Sequence, residues 1–260
     1  MNTCLTPLPA AHTPSSRPVC TGSFSSSAGN SKHGHGVFEW PSGDRYEGHW
    51  ERDKQHGYGL YTYASGSCYA GMYAQGQMHG QGTYSTAAGD IYVGCFAQDL
   101  KHGLGKYTWA SGDTYEGAYV SNLKHGQGTY SRSRGGEKYA GGWVQDKMSG
   151  QGQWNLSDGG SYVGAFANGL LHGFGIYKYP TGNVYEGHFC EGVMSGDGTL
   201  CYANGSIYSG NYTDGQRNGH GVYTRADGSS YEGDYVQDKM HGHGVSVECA
   251  HCMLLLRLSA

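Results

Sequence analysis

The chain has 260 residues, among them 47 Gly and 23 Tyr, and a formal net charge of −4. That charge argues against nucleic acid as a partner, and no stretch approaches the roughly 18 consecutive apolar residues of a membrane-spanning helix. So much glycine without a 3.6-residue apolar period also argues against helix.

Residues 1–32 are rich in Ser, Thr, Pro and Ala, which predicts a disordered tail. They carry no basic stretch followed by an apolar run, so no secretory signal is expected, and Asn2 does not fit the usual myristoylation signal. Thr6-Pro7 and Thr13-Pro14 are candidate proline-directed phosphorylation sites. Cys4 and Cys20 are acylation candidates, with unmodified thiols the plainer reading.

From 33 to 248 the sequence repeats. Tyr46, Tyr69, Tyr92, Tyr115, Tyr139, Tyr162, Tyr185, Tyr208 and Tyr231 are spaced by 23 residues, with one interval of 24. A fixed period of this size predicts a stacked array of one supersecondary unit. Counting each Tyr as offset 0, offset 2 is always Gly and offset 4 always aromatic. Offsets 11 and 13 are always Gly, and offset 15 is mostly aromatic. A partial unit, from His33-Gly34-His35-Gly36 through Phe38 and Trp40, precedes the first Tyr.

Marked residues at offsets 0, 2, 4 and again 11, 13, 15 alternate as side chains do on a strand. The polar segment between them and the Ser-Gly-Asp type corner at each end read as turns. Each unit is therefore expected to be a β-hairpin, and the fold all-β: an elongated single-layer antiparallel meander of stacked hairpins. At roughly 4.8 Å per strand the ribbon would be on the order of 90 Å long. Gly at offset 2 would leave a slot on the aromatic face for a neighbouring ring. Both strands of a hairpin are expected to share that face, subject to register. The 24-residue unit, with Arg132-Ser133-Arg134-Gly135-Gly136-Glu137-Lys138 in its corner, predicts a bulge or widened turn where the ribbon bends. Residues 249–260 form an apolar tail, expected either to cover the last edge strand, to self-associate, or to be poorly ordered.

Tyr46-Glu47-Gly48-His49-Trp50 followed by His56-Gly57-Tyr58-Gly59 resembles the MORN repeat (membrane occupation and recognition nexus), as does Tyr115-Glu116-Gly117-Ala118-Tyr119 with His125-Gly126-Gln127-Gly128. The resemblance spans about residues 33–245. It implies an elongated hairpin ribbon acting as a scaffold at cytoskeletal, ciliary or membrane-junction structures, or as a module attached to a lipid kinase or methyltransferase. The flanks here are too short to hold such an enzyme domain.

Candidate sites follow from the offsets. The offset-4 rings Trp50, Tyr73, Phe96, Tyr119, Trp143, Phe166 and Phe189, with Tyr63, Trp109, Tyr179 and Tyr202 at offset 17, are expected to form a long apolar groove for a partner peptide or helix. Self-packing of the rings is the competing reading. Lys54, Lys101, Lys124, Lys147, Arg217 and Lys239, at offsets 8–9, are expected to line one rim suited to an anionic phospholipid surface. Asp53, Asp99, Asp146 and Asp238 beside them would weaken its field. His56, His79, His102, His125, His172 and His241 recur at offset 10, about 9–10 Å apart by strand spacing, too far for neighbours to share a metal ion. No metal or cofactor site is expected. Cysteines do not follow the repeat, which favours reduced thiols in the cytoplasm. No nucleophile elbow, P-loop or dinucleotide fingerprint occurs. The sequence therefore reads as a non-enzymatic, cytoplasmic scaffold that binds a protein partner, in a cytoskeletal or ciliary setting. The alternative is a phospholipid-binding module tethering membrane to cytoskeleton.

Overall fold

The computed structural model describes residues 31–248. The tail sites Cys4, Cys20, Thr6-Pro7 and Thr13-Pro14 and the apolar segment 249–260 lie outside them. The described residues form 19 strands and no helix, from β1 (Gly34–Glu39), β2 (Arg45–Glu51) and β3 (Lys54–Thr62) to β18 (Ser230–Val236) and β19 (Lys239–Val247). Each strand pairs antiparallel with the next in sequence, giving one open meander. Lys32 already belongs to the array, because its carbonyl accepts the Asp53 N–H at 3.1 Å.

Register settles the question of faces. Tyr46 stands opposite Phe38 of β1 and Tyr61 of β3, and Tyr61 opposite Tyr69. Every strand thus adds a residue to one transverse row, aromatic nearly throughout, on a single face of the sheet. A second row runs beside it and is all glycine: Gly36, Gly48, Gly59, Gly71 and Gly82 are successive cross-strand neighbours. The offset-0 ring lies across this row. A Cβ on Gly59 would stand 2.5 Å from Tyr46 Cζ, and one on Gly48 would stand 2.6 Å from the Gly59 Cα. Neither distance is tolerable for carbon atoms, so both positions must be Gly.

A bulge completes the unit. Pairing between β2 and β3 passes from Gly48–Gly59 directly to Trp50–Gln55, which leaves His49 out of the ladder. Gly57 at offset 11 takes φ +64° to make this possible. The carbonyl of His49, freed from pairing, accepts the Tyr46 hydroxyl at 2.9 Å. The same bond recurs from Tyr69 to Met72 at 2.9 Å and from Tyr162 to Ala165 at 2.9 Å. A buried phenol is thereby satisfied inside its own repeat.

Rings then join the repeats. Tyr69 meets Tyr73 of its own unit edge-on at 5.2 Å and Phe96 of the next at 5.0 Å. Tyr92 does the same with Phe96 at 5.0 Å and Tyr119 at 5.3 Å. From Tyr73 onward each offset-4 ring is wedged between two offset-0 tyrosines, while Trp50 sits between Tyr46 and Phe38, an arrangement worth about 0.5–1.5 kcal/mol per ring pair beyond area burial. This zipper is the core of a sheet that has no second layer among the described residues.

The turns tie both edges. At one edge the two central residues have positive φ, as in Gln98 (50°) and Asp99 (66°), the geometry of a type I′ hairpin turn. Asp99 Oδ1 accepts the Met78 N–H of the preceding repeat at 2.7 Å, and Asp99 N–H donates to the Met78 carbonyl at 3.2 Å. At the other edge Asp90 Oδ1 accepts the Ala110 N–H of the next corner at 2.8 Å. The 24-residue unit keeps its ladder: β9 (Leu123–Ser131) meets β10 (Lys138–Val144) from Ser131–Lys138 to Gly126–Trp143 without a shift. The extra residue is taken up in a wider corner closed by the Arg132–Glu137 backbone bond, 2.9 Å, and an ion pair of 2.7 Å between the same two side chains.

The clamp yields a test. Gly128→Ala places a methyl 2.6 Å from Tyr115 Cζ and is expected to destabilise the array by about 2–4 kcal/mol. Gly36→Ala meets only Trp50, at 3.7 Å, and is expected to cost under about 1 kcal/mol. Urea unfolding midpoints of the two variants check the order.

Candidate partner-binding groove

The ring face has a floor and a wall. The floor is the zipper itself: Trp50, Tyr73, Phe96, Tyr119, Trp143, Phe166 and Phe189 are only 3–6% exposed. These rings were expected to line a groove, and the structure buries them against the offset-0 tyrosines instead. Self-packing claims them because each is flanked by two such tyrosines, or in the case of Trp50 by Tyr46 and Phe38. What stays half-exposed is the row beside the floor, made by Tyr63, Trp109, Tyr179 and Tyr202 with offset-15 rings interleaved. Tyr63 lies 4.5 Å from Tyr61 and 6.1 Å from Tyr84. Trp109 lies 4.7 Å from Tyr107 and 5.8 Å from Tyr130. The offset-15 residues Tyr61, Tyr84, Tyr107, Tyr130, Tyr177 and Tyr223 are wall residues that the sequence reading left unassigned. Their strand parity with offset 17 was the available signal.

This wall is anchored at the sheet edge. Tyr107 donates its hydroxyl to Asp90 Oδ2 at 2.8 Å, and Tyr61 and Tyr130 reach Asp44 and Asp113 at 3.3 Å each. Backbone N–H donors from Ala64 and Ser133 lower the carboxyl pKa of Asp44 and Asp113 respectively. A hollow of about 310 Å³ is lined by Tyr63, Tyr84, Phe96, Lys101, Tyr107 and Asn122, among others.

The basic residues do not form one rim. Offsets 8 and 9 differ by one residue on a strand, so their side chains leave opposite faces. Lys54, Lys147 and Lys239 are exposed on the face away from the rings. Lys101, Lys124 and Arg217 are half-buried on the ring face, opposite Phe96, Tyr119 and Tyr212. Lys101 Nζ lies 4.6 Å from the Tyr107 ring centre, Lys124 Nζ 4.6 Å from that of Trp143, and the Arg217 guanidinium 5.2 Å from that of Tyr235. Loss of hydration lowers the pKa of Lys101 and Lys124. The acidic neighbours serve another purpose than neutralising a rim. Asp53, Asp99, Asp146 and Asp238 are turn residues whose Oδ1 atoms accept backbone N–H groups of Lys32, Met78, Lys124 and Arg217 at 2.7–3.0 Å.

The opposite face is also uneven. Tyr58, Leu104 and Phe174 at offset 12 are 60%, 68% and 51% exposed. The offset-10 histidines lie after the turn, His79, His102, His125, His172 and His241 exposed. Among the described residues no group of three or more His, Cys, Asp or Glu could hold a metal ion.

A single-layer hairpin array with a Tyr–Gly clamp in each unit defines the class of protein. The model of the MORN repeat matches ten consecutive segments: 28–45, 46–68, 69–91, 92–114, 115–137, 139–161, 162–184, 185–207, 208–230 and 231–247. The chain belongs to the MORN-repeat family. No curated protein matches it in sequence. Among solved structures it is similar to the TCP10 domain of Danio rerio CPAP in complex with a STIL peptide, at 12% identity and TM-score 0.46, covering 83% of this chain and 94% of that one. It is also similar to the Drosophila melanogaster SAS-4 (dCPAP) TCP domain in complex with a proline-rich motif of Ana2, at 12% identity and TM-score 0.36, covering 63% and 85%.

Burial of the clamp predicts alkaline melting. It raises the hydroxyl pKa of Tyr46, Tyr115, Tyr139, Tyr162, Tyr185 and Tyr208 from 10.0 to about 12. Above the unfolded value the unfolded chain holds fewer protons than the fold, so stability falls with rising pH. The contribution is whole below pH 10 and lost as pH climbs through 12. Phenolate absorbance of the clamp tyrosines and loss of the β-sheet circular dichroism should therefore rise together in that window. Full phenolate titration centred on pH 10 with the sheet intact would contradict the clamp.

Proposed function

We propose that the chain is a non-enzymatic scaffold that holds a partner protein along the groove walled by Tyr63, Trp109, Tyr179 and Tyr202 and floored by the offset-4 rings, in a cytoskeletal or ciliary assembly of the cytoplasm. The observation that carries it is the division of the ring face. The zipper buries all of the offset-0 and offset-4 rings but Tyr231, and a second set of rings stands half-exposed beside it with no further layer over them among the described residues. Apolar surface of this kind marks an interaction site, and an open ribbon offers length where a compact domain offers a cleft. Membership of the MORN-repeat family supports the scaffold role and the cytoskeletal setting.

Phospholipid binding is the second reading. With the basic residues divided between faces, it rests on Lys54, Lys147 and Lys239 alone, one residue in every fourth repeat. Binding by such sparse charges falls steeply with ionic strength, whereas groove binding does not. Co-sedimentation with phosphatidylserine vesicles at low and physiological salt separates the two. Trp109→Asp combined with Tyr179→Asp alters only rings outside the clamps. It is expected to keep the circular dichroism spectrum and to reduce by about tenfold or more the protein set biotinylated by the chain in proximity labelling. An unchanged set overturns the groove.

A further inference from the structure

Offset 9 meets the offset-4 ring across each hairpin, and most repeats fill it with an uncharged side chain: Gln55, Met78, Met148, Leu171, Met194 or Met240. Two successive repeats depart from this, with Lys101 opposite Phe96 and Lys124 opposite Tyr119. The third cation on this face, Arg217, is occupied: its Nε donates to Asp238 Oδ1 at 3.1 Å and its Nη2 to the Asp238 carbonyl at 2.7 Å. Lys101 and Lys124 have no ion-pair partner among the described residues. Asp146 favours the charged form of both lysines and Asp90 that of Lys101 without pairing directly with either ammonium, and the nearby carboxylates spend their oxygens on other bonds. Asp90 accepts the Ala110 N–H and the Tyr107 hydroxyl, Asp99 the Met78 N–H, and Asp146 the Lys124 N–H. Ring faces offset part of the cost of half-burying an ammonium, and an anion offsets more.

We infer that the third and fourth repeats anchor the partner by charge: a helical segment lays apolar side chains on Tyr107, Trp109 and Tyr130 and sets two carboxylates on Lys101 and Lys124. This rests on the groove reading above. Adjacent repeats are about 9–10 Å apart. Seven residues of helix rise about 10.5 Å and make nearly two turns, so acidic residues at i and i+7 share one face at the matching distance. The segment's chemistry is therefore an amphipathic helix with a paired Asp/Glu stripe inside its apolar face.

Two fluorescein-labelled Ala/Leu helical peptides test this, one with Glu at i and i+7 and one with Gln at both. Titrated with the full chain and read by anisotropy, the Glu peptide is expected to bind about tenfold or more tightly than the Gln peptide. Lys101→Met with Lys124→Met uses the residue that the array itself places at offset 9, so the fold is retained. It should erase the preference of the chain for the Glu peptide over the Gln peptide. Equal binding of the two peptides by the native chain overturns the anchor and leaves the groove standing. Binding of neither overturns the groove and the anchor with it. If the double variant instead loses binding to phosphatidylserine vesicles, with no peptide preference in the native chain, the lysines serve a headgroup and the anchor is overturned.

Discussion

A tyrosine ring lying flat over two glycines, its hydroxyl bonded to the carbonyl three residues on, is the constraint from which the remaining structure follows. The ring needs a backbone without Cβ atoms on two adjacent strands, which dictates Gly at offsets 2 and 13 and pairs them across the ladder. The hydroxyl needs an acceptor inside the sheet, where every carbonyl is normally spent on the ladder. The bulge supplies one by dropping a residue out of pairing, and the bulge in turn requires the positive φ of Gly at offset 11. The offset-4 ring then has one place to go, edge-on between two clamped tyrosines. None of these features survives alone, and this mutual dependence is why five of the 23 positions never vary in type among the nine units.

The clamp also solves the problem of a sheet with no second layer. A single sheet has to find its apolar burial within its own thickness, and large rings laid along the backbone do so where upright side chains would stay wet. Tyr46, Tyr69, Tyr115, Tyr162, Tyr185 and Tyr208 reach 0% exposure this way. Because each contact joins only neighbouring units, stability accrues repeat by repeat. The edge turns reinforce this, since each Asp or Asn cap ties one unit to the unit before it.

Much of this was legible in the sequence. The hairpin, the shared face and the glycine slot follow from period-two spacing, and the register proved to be the one that aligns the tyrosine row. What was not legible came from treating neighbouring positions as equivalent. Lys101 and Lys147 fall at offsets 9 and 8, and one residue on a strand is half a period, so a single charge ladder was in fact two, on opposite faces. Asp99 and Asp146 read as charges accompanying lysines, yet their positive-φ turn sites and their bonds to the preceding repeat show that geometry selects them. The offset-4 rings were placed on the correct face, but their depth in it was not foreseen: those from Trp50 to Phe189 are only 3–6% exposed. Sequence parity shows which face a ring is on, while depth depends on whether another ring stands on either side of it. Lys32 similarly joins the array through a backbone bond that no side-chain pattern announces.

The division between constant and variable positions bears on how a periodic ribbon could recognise anything. Were every repeat alike, a partner lying along the groove could slide by one unit at no cost in free energy, and binding would have no register. The clamp positions cannot break that degeneracy, because the fold requires the same residues in each unit. Offsets 9 and 17 are free to differ, and both lie on the ring face. Offset 9 reads Gln, Met, Lys, Lys, Met, Leu, Met, Arg, Met along the chain, and offset 17 carries aromatics at Tyr63, Trp109, Tyr179 and Tyr202 but Thr86, Arg132, Leu156 and Arg225 in other repeats. Under the proposed groove binding, these are the positions that would give an otherwise uniform lattice an address. Charge is the sharper letter in it, since misplacing a carboxylate from an ammonium to a methionine forfeits a charge-assisted bond and leaves a desolvated anion unpaired, whereas shifting an apolar side chain from one ring to the next changes little. The pair Lys101 and Lys124 breaks the translational symmetry most strongly, because no other two adjacent repeats among the nine present cations there.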